Sequence, residues 1–333
     1  MMKKPSKMPT SPSPSPKIPP RQNEPSRWTI LAIAISMIWM FVLPKLCRPF
    51  WHHLGSFTPL QAELLISSAH TTLLLLCFNL CMLPIYCMQH PFFEEYKIQF
   101  NEPWPWMSES PKVRRDFWAL SLRSVKITAF NSLCLIPVLI TIKVYVCSSI
   151  LGMDREQTET DDESWPSYFE LIRHNIMCTI LHEFGFYTMH RLMHTYPWLY
   201  RFHKVHHEYK MTTSLAAQHN HPIDYIFSLA IPAILPVVIV PTHSFTTFQW
   251  LFWVIFANVD DHCGYNFPWS PVRWFPFAAS TDEHEFHHVK NLGCFGSKLH
   301  IYEQLLGGNE WYDTWLKKQN DLRLSGMTAS KQT

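Results

Sequence analysis

Residues 190–207 read HRLMHTYPWLYRFHKVHH, and residues 284–288 read HEFHH. Three clusters stand out: His190 with His194, His203 with His206 and His207, and His284 with His287 and His288. Side chains three and four apart on a helix share one face, so each cluster presents its imidazoles side by side. Eight nitrogen ligands exceed the roughly four to six that one transition metal takes, so the pattern points to two metals in one pocket. A site rich in neutral imidazole suits iron, zinc, copper or nickel rather than magnesium or calcium. Histidine is 19 of 333 residues, but the repeated H-x-x-H-H spacing is more specific than abundance alone would give.

The clusters sit in an apolar chain. Hydrophobic residues make up 47% and charged residues 16%, against roughly 25% charged in ordinary soluble proteins. A formal net charge of +2 invites no nucleic-acid partner. Nine cysteines are scattered, mostly within apolar stretches and with no C-x-x-C pair. They read as buried or membrane-helix residues, not as a disulfide framework or zinc ribbon.

Apolar stretches run from Trp28 to about Leu46, from about Leu64 to Met88 and from about Ile127 to Ile150. Each is close to the roughly 20 residues that span a bilayer. The preceding residues 1–27 are a basic Pro/Ser-rich tail with too little apolar content to build a core, expected to be disordered. It does not resemble a signal peptide, and its charge predicts a cytosolic N-terminus. The basic loop holding Lys112, Arg114 and Arg115 agrees with that orientation. An acidic run from Asp154 to Glu163 reads as a lumenal turn. Trp165-Pro166-Ser167 then opens a long helix ending near His194, too polar to stand bare in lipid. A short helix over about 198–210 is expected to carry the second cluster. Residues 223–240 and 245–257 form a hairpin that spans or dips into the bilayer and returns the chain to the side it left. All three clusters therefore fall on one face, the cytosolic one. The predicted architecture is an all-α integral membrane bundle with a cytosolic helical cap holding a histidine-rich dimetal site. Its divisions are the tail (1–27), N-terminal transmembrane helices (28–150), a histidine-bearing domain (151–318) and a C-terminal tail (319–333).

The spacing His190-x3-His194, His203-x2-His206-His207 and His284-x2-His287-His288 resembles the fatty acid hydroxylase superfamily. Tyr96-Lys-Ile-Gln99, His203-Lys-Val-His-His-Glu-Tyr209, His221-Pro222 and His262-Cys-Gly-Tyr265 resemble its sterol C4-methyl oxidase branch and the fatty-acid-hydroxylase-domain proteins beside it. The likeness covers roughly residues 90–313. It implies a multi-pass endoplasmic reticulum enzyme with two irons per chain. It also implies O2 as co-substrate, NAD(P)H electrons delivered by a cytochrome b5-type carrier, and a lipid or sterol substrate. The eight clustered histidines become metal ligands by match of motif, and His262 and His221 become ligands or their supports. A desaturase of the same architecture and a catalytically inactive lipid-binding or regulatory protein are the alternatives.

Phe186, Thr195 and Gly307-Gly308-Asn309 depart from the sterol oxidase pattern, which leaves the substrate open. His174, His182, His243 and His300 match no motif and read as structural. Glu285 and Glu208 stand beside ligands and could orient imidazoles, although exposed helix carboxylates are the simpler expectation for both.

Overall fold

A computed structural model of the chain describes residues 27–150, 152, 165–240, 242–274, 277–307 and 310–330. The tail through residue 26 and the run Asp154–Glu163 lie outside the described residues. Among the described residues four helices are long and apolar enough to cross a membrane: α1 (Trp28–Ser56), α2 (Pro59–Met88), α3 (Pro111–Ile150) and α6 (Pro222–Ile239). Between α3 and α6 come α4 (Tyr168–Thr195) and α5 (Pro197–His203). The chain continues with α7 (Ser244–Asp261), α8 (Thr281–Lys290), α9 (Ile301–Leu306) and α10 (Glu310–Ser330). Extended pairing among the described residues is confined to two isolated bridges, Lys97 with Tyr265 and Ala278 with Leu299.

Local signals set the helix ends. Thr58 caps α2 in a reciprocal box with Gln61, ahead of a proline at the first helical position. Ser167 with Glu170 starts α4, and Ser280 with Glu283 starts α8. Asn291 closes α8 at φ 56°, its amide donating to the His287 carbonyl. On α2, Leu73, Leu76, Leu80 and Leu83 recur at helical spacing and all face outward. Such a stripe would be a liability in water, but it is the expected face toward lipid.

The short α1–α2 connection makes those helices antiparallel, and side-chain contacts mark two ends of the bundle. At one end Trp28 packs on Trp269, with centroids 5.0 Å apart. There the Tyr86 hydroxyl donates to the Cys263 carbonyl at 2.8 Å, and the Ile98 amide donates to Gly264. At the other end Trp51 Nε1 donates to Ser244 Oγ at 2.9 Å, and Trp165 packs near Trp51 and Phe245. Because α6 leaves the first end and α7 returns to it, residues 196–221 and 262–330 gather there together. The histidine clusters thus share one end of the bundle.

Two boundaries differ from expectation. The helix expected over 198–210 stops at His203, and a tight turn over His206–Glu208 follows. The turn lets His206 and His207 diverge. The boundary drawn at residue 319 falls inside α10, whose Tyr312 and Trp315 pack on Phe286 of α8 and whose Arg323 donates to the Lys97 carbonyl. α4 is packed among helices as its polar content required, with His182 and Glu183 both buried.

The apolar interior of the far end holds one ion pair, Lys143 Nζ to Glu63 Oε2 at 2.8 Å, with both side chains at most 10% exposed. Removing one partner strands a buried charge. Lys143→Met should therefore cost about 3–5 kcal/mol, and Lys143→Met with Glu63→Leu should recover most of that. Thermal unfolding in detergent reads both. A double variant no more stable than the single would show that the pair is not what holds that end.

Candidate metal centre

The histidines converge from four segments. His190 and His194 close α4, His203 ends α5, His206 and His207 occupy the turn after it, His262 follows α7, and His284, His287 and His288 lie on α8. Their ligand atoms form two groups. The first holds His190, His194, His203, His207 and His287; the second holds His206, His262, His284 and His288. Within each group all ligand atoms lie within 4.8 Å of one another. The groups adjoin, since the His207 and His288 rings are 4.8 Å apart.

Hydrogen bonding settles which nitrogen faces inward. Nδ1 contacts a backbone carbonyl in four rings: His190 with Phe295 at 2.8 Å, His262 with Asn258 at 2.8 Å, His287 with Gly293 at 2.7 Å and His288 with Tyr209 at 3.0 Å. A carbonyl only accepts, so each Nδ1 carries the proton and each neutral ring turns a bare Nε2 lone pair inward. Nε2 of His190 and of His288 has no hydrogen-bond partner. Other Nε2 atoms stand close together: His207 lies 3.0 Å from His203, 3.1 Å from His194 and 3.2 Å from His287. His284 lies 2.9 Å and His206 3.2 Å from His262. Burial pushes His206, His207, His284, His287 and His288 well below the ordinary imidazole value, and the neighbouring imidazoles push further in the same direction. Burial lowers His262 to about 4. Neutral rings with converging lone pairs are a donor set for cations, and the all-nitrogen composition suits first-row transition metals.

Residues 175–308, which enclose all nine of these histidines, match the family model described as fatty acid hydroxylase. Over this stretch the chain is similar to the fatty acid hydroxylase family. It is 28% identical over 235 residues to the cholesterol 25-hydroxylase-like protein of Caenorhabditis elegans, covering 70% of each chain. It is 29% identical over 266 residues to the cholesterol 25-hydroxylase of Homo sapiens, covering 78% of this chain and 89% of that one. With methylsterol monooxygenase 1 of Gallus gallus it shares 24% identity over 250 residues, covering 74% and 77%. No solved structure matches the chain.

The matched region surrounds its histidines with groups that fix them. Asp224, fully buried, faces His203 Nδ1 at 3.0 Å and accepts from Asn220 and Ser228. Glu183 of α4 accepts from the amides of Ser297, Lys298 and Leu299 at 2.8–3.2 Å. Glu303 accepts from the Phe295 and Gly296 amides. Together these carboxylates hold the loop whose Phe295 carbonyl orients His190. A Cβ on Gly296 would stand 2.9 Å from the Leu299 carbonyl oxygen, so the loop needs glycine there. Glu285 is not the exposed helix carboxylate expected of it. It is fully buried, accepts from Gln99 Nε2 and from the Thr212 hydroxyl and amide, and ties α8 to two other segments. Burial raises its carboxyl above the usual range. Glu208 pairs with Arg123 and lies 3.2 Å from His219 Nε2.

Of the ten histidines singled out in the sequence, nine meet in the two groups. His221 does not join them. Its Nδ1 accepts the Ile223 amide at 3.2 Å, capping α6, and its ring packs on Phe202 at 4.9 Å. Asp224, three residues on, is the group that reaches a clustered histidine, and sequence reasoning passed over it. The available signal was a carboxylate in the first turn after His221-Pro222. Replacing a carboxylate that orients a ligating imidazole costs about 10–100-fold in metal affinity. Asp224→Asn should lower metal retention against a chelator by that factor, whereas His221→Ala should leave it near wild type. The reverse ranking would invert these two roles.

Proposed function

We propose that this chain is a membrane-bound non-haem di-iron oxygenase that hydroxylates or oxidises a lipid, a sterol methyl group or a fatty acyl chain. O2 is the oxidant, and NAD(P)H electrons arrive through a cytochrome b5-type carrier. The overall change is R–H + O2 + two electrons + two protons giving R–OH and H2O. The observation that carries the reading is the pair of adjoining buried histidine groups at one end of an apolar helical bundle, within a domain matched to the hydroxylase family. The names of the relatives, hydroxylases and a methylsterol monooxygenase, support an oxidoreductase acting on lipid.

In this reading His190, His194, His203, His207 and His287 hold one iron, and His206, His262, His284 and His288 hold the other. Bound iron would supply the reduction of O2 that makes an unactivated C–H bond reactive. The chain's own work is orientation and exclusion. Backbone carbonyls and Asp224 keep each lone pair aimed inward, burial keeps the rings unprotonated, and the packed aromatic and aliphatic shell keeps bulk water from the reacting carbon. The basic N-terminal segment and the shared end of the clusters favour a cytosolic centre in the endoplasmic reticulum membrane, within reach of a soluble-headed electron carrier.

Elemental analysis and Mössbauer spectroscopy of detergent-purified, iron-loaded protein should find two irons per chain in a coupled, oxygen-reactive pair. His206→Ala and His287→Ala should abolish lipid oxidation and leave membrane insertion intact. Zinc that iron does not displace, or wild-type turnover in either variant, would sink this reading.

A further inference from the structure

α9 (Ile301–Leu306) links the loop that orients His190 to α10. At about 100° per residue, Ile301, Tyr302, Leu305 and Leu306 share one arc, and Glu303 falls on the side opposite Leu305. The two sides meet different surroundings. Glu303 is 1% exposed and turns inward, accepting from the Phe295 and Gly296 amides. Leu305 and Leu306 turn outward, 71% and 56% exposed. Trp311, in the first turn of α10, is exposed too.

The neighbouring face of α4 tells what lies outside. Ile172, Ile176, Ile180 and Phe184 recur every four residues and are all exposed, an apolar row on a helix packed against the apolar span α6. Beyond Phe184 the face changes character. Tyr187 follows, and its hydroxyl accepts from Arg191 at 2.7 Å. Aliphatic side chains giving way to tyrosine and arginine mark the boundary between hydrocarbon and water. α9 sits at that boundary: the Tyr302 ring stacks on Tyr187 at 5.4 Å and lies 6.3 Å from Phe184. Leu305 and Leu306 therefore extend the apolar surface of α4 at the level where its row ends. Three exposed side chains fall well short of the roughly 800 Å² per partner that a stable protein interface buries, so the occupant they fit is lipid.

We propose that α9 is an in-plane membrane anchor at the histidine end of the bundle, with Leu305 and Leu306 among the acyl chains, and that this contact braces the loop that orients His190. The link is short. The bilayer holds one side of α9, Glu303 on the other side holds the Phe295 and Gly296 amides, and the Phe295 carbonyl accepts from His190 Nδ1 at 2.8 Å. Leu305 and Leu306 thereby act as positioning residues for a ring they do not touch. The bracing rests on the reading of His190 as a metal ligand, whereas the anchoring does not.

The test uses the full chain in phosphatidylcholine nanodiscs. An environment-sensitive fluorescent amino acid in place of Leu305 should be quenched by lipids brominated on their acyl chains and spared by aqueous iodide. The same group in place of Lys318, exposed on α10, should show the reverse. Iodide quenching at position 305 would put α9 in water, and shielding from both quenchers would put it under protein; either overturns the anchor. Retention of bound cobalt(II) against a chelator reads the bracing. Leu305→Ser with Leu306→Ser should retain cobalt about tenfold less well, the low end of what disturbing a ligand's support costs. Leu305→Phe with Leu306→Phe should hold cobalt like the unmodified chain, and so should Leu76→Ser on the outward face of α2. Unchanged retention in the serine pair, or an equal loss in Leu76→Ser, would overturn the bracing. An unmodified chain that takes up no cobalt would overturn the bracing together with the metal centre, while quenching still decides the anchor.

Discussion

Everything at the centre depends on one constraint: a neutral imidazole has one proton, and a backbone carbonyl can only accept it. The Nδ1 contacts of His190, His262, His287 and His288 therefore commit four Nε2 lone pairs to a shared interior before any cation arrives. Lone pairs converging in a low-dielectric interior repel one another, and burial forbids relief by protonation. The surrounding structure must hold the rings in place against that repulsion. The carboxylates of Asp224, Glu183, Glu285 and Glu303 are buried where they brace the histidine-bearing segments or the loops that touch them.

That requirement explains why a membrane bundle carries so polar an end. α4 contains His182, Glu183 and His190, and it turns these inward against protein while Ile176, Ile180 and Phe184 form an exposed apolar face. α2 and α3 turn apolar faces outward, Leu73, Leu76 and Leu80 on one and Leu122, Leu133 and Ile142 on the other, and keep polar side chains such as Ser67, Thr71, Ser124 and Asn131 inside.

Much of this was legible in the sequence. The apolar stretches, the Trp165-Pro166-Ser167 helix start and the histidine spacings led to the right helices and to one shared end. What stayed hidden depended on contacts between distant segments. Asp224 carries no mark of its own, and it matters because the chain brings it back against His203 across 21 residues. Glu285 reads as a helix-surface carboxylate until Gln99 and Thr212 close over it from elsewhere in the chain. His221 misled because proximity to a proline resembles a motif, whereas its geometry is that of a helix cap. The α10 packing was missed because Tyr312, Trp315 and Leu316 stand among charged residues in the sequence, and only the fold brings Phe286 and Cys294 against them.

The repeated H-x-x-H-H spacing has a geometric reason of its own. In the first copy His203 and His207 join one group while His206 joins the other. In the second copy the assignment reverses, with His284 and His288 in the second group and His287 in the first. On α8 residues four apart aim at nearly the same point and adjacent ones diverge by about 100°, and the turn after α5 fans His206 and His207 apart to the same effect. One such five-residue unit can therefore serve two centres, giving a pair to one and a single ring to the other. Two units facing each other in opposite sense complete both, with His190 and His194 added to the first group and His262 to the second. A single-metal site would need neither the doubled histidine nor the reversal. The sequence pattern thus reflects two adjoining histidine groups because of how side chains fan out from a backbone turn.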